Sequence, residues 1–298
     1  MKNNQSTQPT TMINKDQISL VCLVLKRSNS KAADLGEQFK NWFVKHGIDV
    51  VMIGENQYSE GKAFEEKRPD LCIILGGDGT IVSVARRLVK SQIPLLGVNL
   101  GRVGFLAETP LSSWEYDFER ILNKGFNIEW RLALSIKVER KNKLFFSGFA
   151  VNDAVIGRGA LARLVSLDLC VGDECVGAVR ADGLIIATPT GVSGYSVSAG
   201  GPLILPSLNV ISVTPICPFL CNFKSLVLGH ESAFTLSVRE GGPDLFLTRD
   251  GQDMLPLKVG DSITIKGLPN ALAFAKIEGR SSYFARLQQK GFIGLAPS

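Results

Sequence analysis

Histidine is nearly missing from this chain: only His46 and His230 occur, and neither lies near another candidate ligand or nucleophile. Histidine-based triads and multi-histidine metal sites are thereby nearly excluded, and any chemistry has to lean on carboxylates and positioning. Cysteine is scarce and poorly spaced. Cys22, Cys72, Cys170, Cys175, Cys217 and Cys221 sit mostly in apolar strand-like runs with no pair two residues apart, which argues against a disulfide framework or a zinc site. No apolar run approaches the roughly 18 residues of a membrane span, and ISLVCLVL (18–25) is of strand length. The opening MKNNQSTQPTTMINKDQ has no apolar centre and no cleavage site, so residues 1–17 read as a disordered polar tail of a cytoplasmic protein. Long runs of one charge are absent too. The net charge of +5 is spread out, and KRSNSK (26–31) and ERKNK (139–143) read as solvated turns. Neither a nucleic-acid nor a membrane partner is indicated, whereas a mild basic excess suits a phosphate-rich small ligand.

What is present is a globular composition, 45% hydrophobic and 20% charged, long enough for two domains. Over 18–128 short apolar strands (ISLVCLVL, DVVMIG, DLCIILGG, PLLGVNLG) alternate with amphipathic helical patterns (KAADLGEQFKNWFVKHG, TIVSVARRLVKS, SSWEYDFERILNKG). This alternation predicts a doubly wound α/β domain with a parallel sheet. Over 129–267 the pattern turns to strands separated by glycine and charged turns: WRLALSIKVER, LFFSGFAVNDAVIG, RLVSLDLCVG, GLIIAT, AFTLSVRE, DLFLTRDG, SITIKG. A mostly β domain is expected there. The last stretch, 268–298, is expected to supply a strand and a helix returning to the first domain.

Three stretches carry candidate chemistry. In ILGGDGTI (74–81) a buried strand ends in adjacent glycines that let backbone N–H groups approach a ligand, and a helix N-terminus follows, so phosphate is the natural occupant. Asp78 stands in the middle of this loop. A carboxylate beside a phosphate is costly unless it binds a divalent cation or accepts a proton from an attacking hydroxyl; a turn or cap role also fits the local sequence. ATPTGVSGYSVSAGGP (187–202) concentrates hydroxyls and glycines suited to a sugar, phosphate or base, with Tyr195 able to pack on a flat ring. AVNDAVI (150–156) places Asn152 and Asp153 inside an apolar strand, where buried polar groups need a partner or a ligand.

Together, and in this order, these stretches resemble the NAD kinases: GGDGT (76–80), PLLGVNLGRVGFLAE (94–108), VNDAVI (151–156), ADGLIIATPTGVSGYSVSAGGPLI (181–204) and DGQ (250–252). GGDGT is shared with diacylglycerol, sphingosine and 6-phosphofructokinases, so the GRVGFL and TPTG blocks carry the resemblance. It implies an α/β domain bearing GGDGT, a sandwich-like β domain bearing the dinucleotide contacts, and a C-terminal return. It also implies transfer of the γ-phosphoryl group of ATP, or of inorganic polyphosphate, to the adenosine-ribose 2′-hydroxyl of NAD. A divalent metal, Mg or Mn, would come with the ATP. By position, Asp78 would be the general base and Gly79 would touch ligand through its backbone. Asn152 and Asp153 would hold adenine or ribose, and Ser193, Gly194, Tyr195, Ser196, Val197 and Ser198 would line the dinucleotide pocket. Asp182 and Gln252 would add NAD contacts, and Arg163 and Arg180 would face its phosphates. A homodimer or homotetramer is implied, because a neighbouring subunit completes each pocket in this family.

The chain departs from the family pattern in two places. TPTGVSGY replaces the usual Ser, Thr and Ala with Val192, Ser193 and Gly194, and PFLCNFKSLV (218–227) carries Phe219, Lys224 and Ser225 where His, Arg and Pro are usual. Lysine does not reproduce the planar fork of arginine. Two rival readings follow: a lipid kinase sharing only GGDGT, and an NAD-binding paralogue without turnover.

Overall fold

The computed structural model describes residues 11–26, 30–55, 57, 64, 67–101, 104–107, 109–159, 164–219, 223–242, 244–280 and 282–294. The chain divides into two compact units, one of Met1–Trp130 with Leu272–Ser298, the other of Arg131–Ala271.

In chain order the first unit holds β1 (Met12–Ile13), β2 (Leu20–Leu25), α1 (Ser30–Lys45), β3 (Asp49–Gly54), β4 (Leu71–Leu75), α2 (Asp78–Arg87), β5 (Pro94–Asn99), β6 (Thr109–Pro110), α3 (Trp114–Lys124) and the start of β7 (Phe126–Arg140). Strands β3, β2, β4 and β5 pair in that order, all parallel. Every residue of β4 and β5 is buried, as expected for a parallel sheet covered by helices. Phe39 and Phe43, one turn apart on α1, meet Phe118 of α3 at ring-centroid distances of 5.0 and 4.9 Å, so the apolar stripes of the two helices close on each other.

The described part of the expected tail is not disordered. β1 pairs antiparallel with Phe126 and Asn127 of β7, and residues 15–17 form a 3-10 turn. Ile13 packs against the unit's core, an apolar contact that a reading of the tail as uniformly polar overlooks.

The second unit is antiparallel. It contains the rest of β7, then β8 (Lys143–Ala150), β9 (Asp153–Arg158), β10 (Val165–Val171), β11 (Glu174–Ala181), β12 (Gly183–Ala187), β13 (Val210–Ile216), β14 (Leu226–Gly229), β15 (Phe234–Glu240), β16 (Leu245–Arg249), β17 (Asp253–Pro256) and most of β18 (Ser262–Lys276). One sheet runs β14-β13-β12-β9-β16-β17, and β11, β10, β15 and β18 pair in sequence in the other. Alternate residues of both sheets, among them Leu167, Leu236 and Ile263 on one side and Ile156, Leu184 and Val213 on the other, form one apolar core.

The end of β18 pairs parallel with β5 of the first unit, Ala273 opposite Pro94 and Phe274 opposite Leu95, and α4 (Tyr283–Gln289) follows. The expected return strand is therefore the continuation of SITIKG rather than a separate element. Its far end is tied down by Arg280, which pairs with the fully buried Asp117 of α3. Burial pushes the Asp117 carboxyl up despite this arginine.

One expectation about cysteine is corrected. Cys170 and Cys175 are register partners across the β10–β11 hairpin and form a disulfide. Val171 and Glu174 pair at the strand ends and Gly172 and Asp173 make the turn, so the spacing that rules out a metal knuckle places the two cysteine side chains side by side on neighbouring strands. No helix among the described residues is long and apolar enough to cross a membrane.

Candidate active-site elements

In the first unit the site is built where β4 gives way to α2. The turn needs glycine at 76, since a Cβ there would lie 2.7 Å from Thr80. Gly77 is extended (φ −88°, ψ −178°) and its carbonyl accepts from Thr80 N and Ile81 N at 3.0 and 3.1 Å, which starts the helix. Gly77 and Gly79 are exposed, and a Cβ on either would meet nothing. No side chain of Gly77 or Gly79 stands in the way of the positive end of α2, an arrangement that favours an anion.

Asp78 is half-buried in the first turn, and its carboxylate is clamped. Phe105 N donates to Oδ2 at 2.7 Å, while Leu106 N and Ala107 N donate to Oδ1 at 3.1 and 3.2 Å. Gly104 is obligatory, because a Cβ there would lie 1.9 Å from Asp78 Oδ1. Gly97 of β5 admits Ile81 and Ala107, which a Cβ would meet at 2.4 and 3.0 Å. Of the glycines in PLLGVNLGRVGFLAE, Gly104 therefore makes room for the aspartate of GGDGT and Gly97 for the helix that follows it. A carboxylate has about four lone-pair directions, and three are engaged here. Hydrogen bonds to a carboxylate contribute about 1.5–3 kcal/mol each, so this loop is held firmly.

In the second unit three of the sequence blocks come together. LFFSGFAVNDAVIG is not one strand: it breaks at Val151 and Asn152, between β8 and β9. The break is held by Asp250, whose Oδ1 accepts from Val151 N, Asn152 N and Asp153 N at 3.0, 2.7 and 3.3 Å. Asp250 and Gly251 have φ of +51° and +64° in the turn between β16 and β17, a conformation that Asp and Gly tolerate best. Thr188 docks onto the same break, its N–H donating to Asn152 O at 2.8 Å and its hydroxyl to Val151 O at 2.7 Å. Gly191 passes so close that a Cβ would lie 2.2 Å from Asn152 O. Asp153 is buried at 8% exposure, and burial together with the neighbouring Asp250 charge pushes its carboxyl up to about 7.

The remaining expected residues are distributed as follows. Asp182 and Tyr195 line a cavity of about 330 Å³ with Val155, Gly157, Arg158, Ile216, Phe246, Thr248 and Met254. Ser193 and Gly194 sit in the turn over Val192–Ser196, where Gly194 leaves helical geometry, and Val197 and Ser198 follow it. Ser196 is fully buried, its hydroxyl 3.1 Å from that of Thr214, so it faces the interior. Arg180 and Gln252 are exposed, on β11 and in the β16–β17 turn. Arg163 lies outside the described residues. Val192, one of the departures, is fully buried with Ile185, Ala187 and Ile204, so its methyl groups complete an apolar cluster in place of a hydroxyl. Sequence reasoning missed Asp250 as an anchor, although the quoted DGQ contained it, and Arg158, one residue beyond the VNDAVI block and its glycine.

These features define a class: an α/β unit with an open helix N-terminus and a clamped carboxylate, followed by an antiparallel unit with a cavity that is apolar on some walls and charged on others. Such a protein handles a phosphorylated ligand. Residues 21–126 match the ATP-NAD kinase N-terminal domain and residues 151–277 the ATP-NAD kinase C-terminal domain. The chain is 47% identical over 273 residues to the NAD kinase of Nitratidesulfovibrio vulgaris (strain DSM 19637 / Miyazaki F), covering 92% of this chain and 96% of that one. It is 43% identical over 277 residues to the NAD kinase of Oleidesulfovibrio alaskensis (strain ATCC BAA-1058 / DSM 17464 / G20), covering 93% and 94%. The fold is shared with yeast NADH kinase complexed with NADH (TM-score 0.81, 23% identity, 97% of this chain and 95% of that one). It is also shared with an NAD kinase from Archaeoglobus fulgidus in complex with ATP (TM-score 0.71, 24% identity, 92% and 100%). The chain belongs to the NAD kinase family.

Proposed function

We propose that this chain transfers the γ-phosphoryl group of ATP to the adenosine-ribose 2′-hydroxyl of NAD, giving NADP, and that Asp78 receives the hydroxyl proton. The activity is that of the family. What supports the assignment to Asp78 is a single observation: a half-buried carboxylate held by three backbone N–H groups in the first turn of α2. The hydroxyl oxygen bonds to the γ-phosphorus as the bond to the β-phosphate oxygen breaks, the proton passes to Asp78, and ADP leaves. An alcohol is a weak nucleophile at neutral pH, so a positioned base contributes about 10²–10⁴-fold. Alignment and the N–H groups at the start of α2 supply the larger share.

Asn152, Asp153, Asp182, Tyr195 and Gln252 hold the dinucleotide in this reading, with Ser193, Gly194, Val197 and Ser198 beside it and Arg163 and Arg180 toward its phosphates. Among the described residues no three His, Cys, Asp or Glu side chains converge to hold a metal. A divalent cation accompanies the ATP phosphates in this reading, neutralising their charge. The protein works in the cytoplasm as a homodimer or homotetramer, which light scattering of the purified chain tests.

The decisive experiment supplies NAD, ATP and magnesium and detects NADP with a strictly NADP-dependent dehydrogenase; parallel reactions replace ATP by polyphosphate and NAD by NADH. NADP formation from NAD and ATP is expected. Calorimetric binding of NAD without product under any donor, with magnesium or manganese, would overturn the assignment in favour of a non-catalytic dinucleotide binder.

A further inference from the structure

Arg158 ends β9 and lines the 330 Å³ cavity with Asp182, Tyr195, Phe246 and Thr248. Among the described residues its buried Nε has no hydrogen-bond partner, an arrangement that is costly unless something answers it. Gly242 lies against the guanidinium so closely that a Cβ there would sit 2.7 Å from Nη2 and 3.0 Å from Cζ and Nη1. A buried donor left unanswered at the wall of a cavity is one that a ligand can satisfy.

Among the described residues that line the cavity, Arg158 is the only cationic group and Asp182 the only anionic one. Val155, Ile216, Phe246 and Met254 offer apolar walls for a flat ring. A ligand that matches all of these brings a ring, hydroxyl or amine donors for the carboxylate, and an anion for the guanidinium. We infer that Arg158 is a specificity-determining residue that binds the pyrophosphate of the dinucleotide in this cavity. The inference rests on the reading of the second unit as the NAD-binding unit. Its chemistry is that of a planar fork with several N–H donors meeting phosphate oxygens, which fixes orientation as well as charge.

The test uses the full chain and two variants, Arg158→Gln and Arg158→Lys, with thermal melts recorded for each. In steady state Arg158→Gln raises KM for NAD about tenfold or more, equivalent to about 1.4 kcal/mol or more. KM for ATP and kcat stay within about threefold, and Arg158→Lys, which keeps charge but loses the fork, falls between. A second readout needs no turnover: calorimetry with AMP and with adenosine. The wild type prefers AMP by about tenfold or more, and Arg158→Gln removes that preference; AMP held at an ATP site would not respond to this change. An unchanged KM for NAD, or an AMP preference that survives in Arg158→Gln, overturns the inference. Should Arg158→Gln fail to fold, Arg158→Lys and the wild-type AMP preference carry the same decision. If the wild type makes no NADP, the proposed function fails separately, and the AMP comparison still judges Arg158.

Discussion

Replacing Asp153 by Asn should stabilise the protein, and by an amount that grows with pH. Asp153 sits at 8% exposure beside Asp250, and its carboxyl is raised from the ordinary 3.8 to about 7. The folded protein therefore keeps a proton that the unfolded chain gives up. Below pH 4 both states are protonated and the group costs nothing; as pH rises from 4 to 7 the unfolded state gains by ionising while the folded state does not. Stability associated with this group is present at low pH and lost as pH climbs through 7. A shift of about 3 units corresponds to about 4 kcal/mol at full extent, of which about 3 kcal/mol develops between pH 4.5 and pH 8. Asn removes the titration and can donate to Asp250. Urea unfolding of both proteins at several pH values measures the effect as a midpoint difference that widens with pH at constant slope. A difference that stays flat from pH 4.5 to 8.5, or one that narrows, would refute the claim that Asp153 is buried against a like charge.

Three further outcomes follow from the same geometry. Arg280→Ala strands the buried Asp117 without its partner and should cost about 3–5 kcal/mol in urea unfolding, whereas a loss below 1 kcal/mol would mean that the pair does not tie the returning segment down. Gly104→Ala drives a Cβ into Asp78 Oδ1 and should cut turnover sharply while hardly touching NAD affinity measured by calorimetry; wild-type kinetics would show that the close approach is not needed. Reducing the Cys170–Cys175 disulfide opens only a short loop, so a dithiol reductant should lower stability by about 2 kcal/mol, and Cys175→Ser should abolish that response.

Much of the first unit was legible because its signals are local. The short continuous apolar runs of β2, β4 and β5 and the 3.6-residue stripes of α1 and α3 each announce one element, and GGDGT marks its own turn. The second unit was harder to read where distant residues set local structure. The break between β8 and β9 is invisible in LFFSGFAVNDAVIG because the carboxylate that makes it, Asp250, lies about a hundred residues away. β11, with its exposed and mixed sequence ECVGAVRA, gives no alternation to follow. The significance of Arg158 depends on an unpaired Nε and on Gly242 beside it, both tertiary facts. Val192 looked like a lost hydroxyl, yet its position is closed off by Ile185, Ala187 and Ile204, where a methyl group fits better. Asp78 was identified as the chemical centre from charge logic, while the loop that grips it became apparent only in three dimensions.

The central claim is that Asp78 takes the ribose proton while its backbone clamp holds it in place. Asn at this position keeps one acceptor but turns an amide N–H₂ toward an N–H donor, so it removes the base and at least one clamp bond together. The direct measurement is kcat for NADP formation by the wild type and Asp78→Asn at saturating NAD and ATP. The account predicts a loss of about 10²-fold or more with the melting behaviour of the second unit unchanged. A variant that retains more than about a tenth of wild-type turnover would contradict it, since a general base worth its place cannot be removed so cheaply.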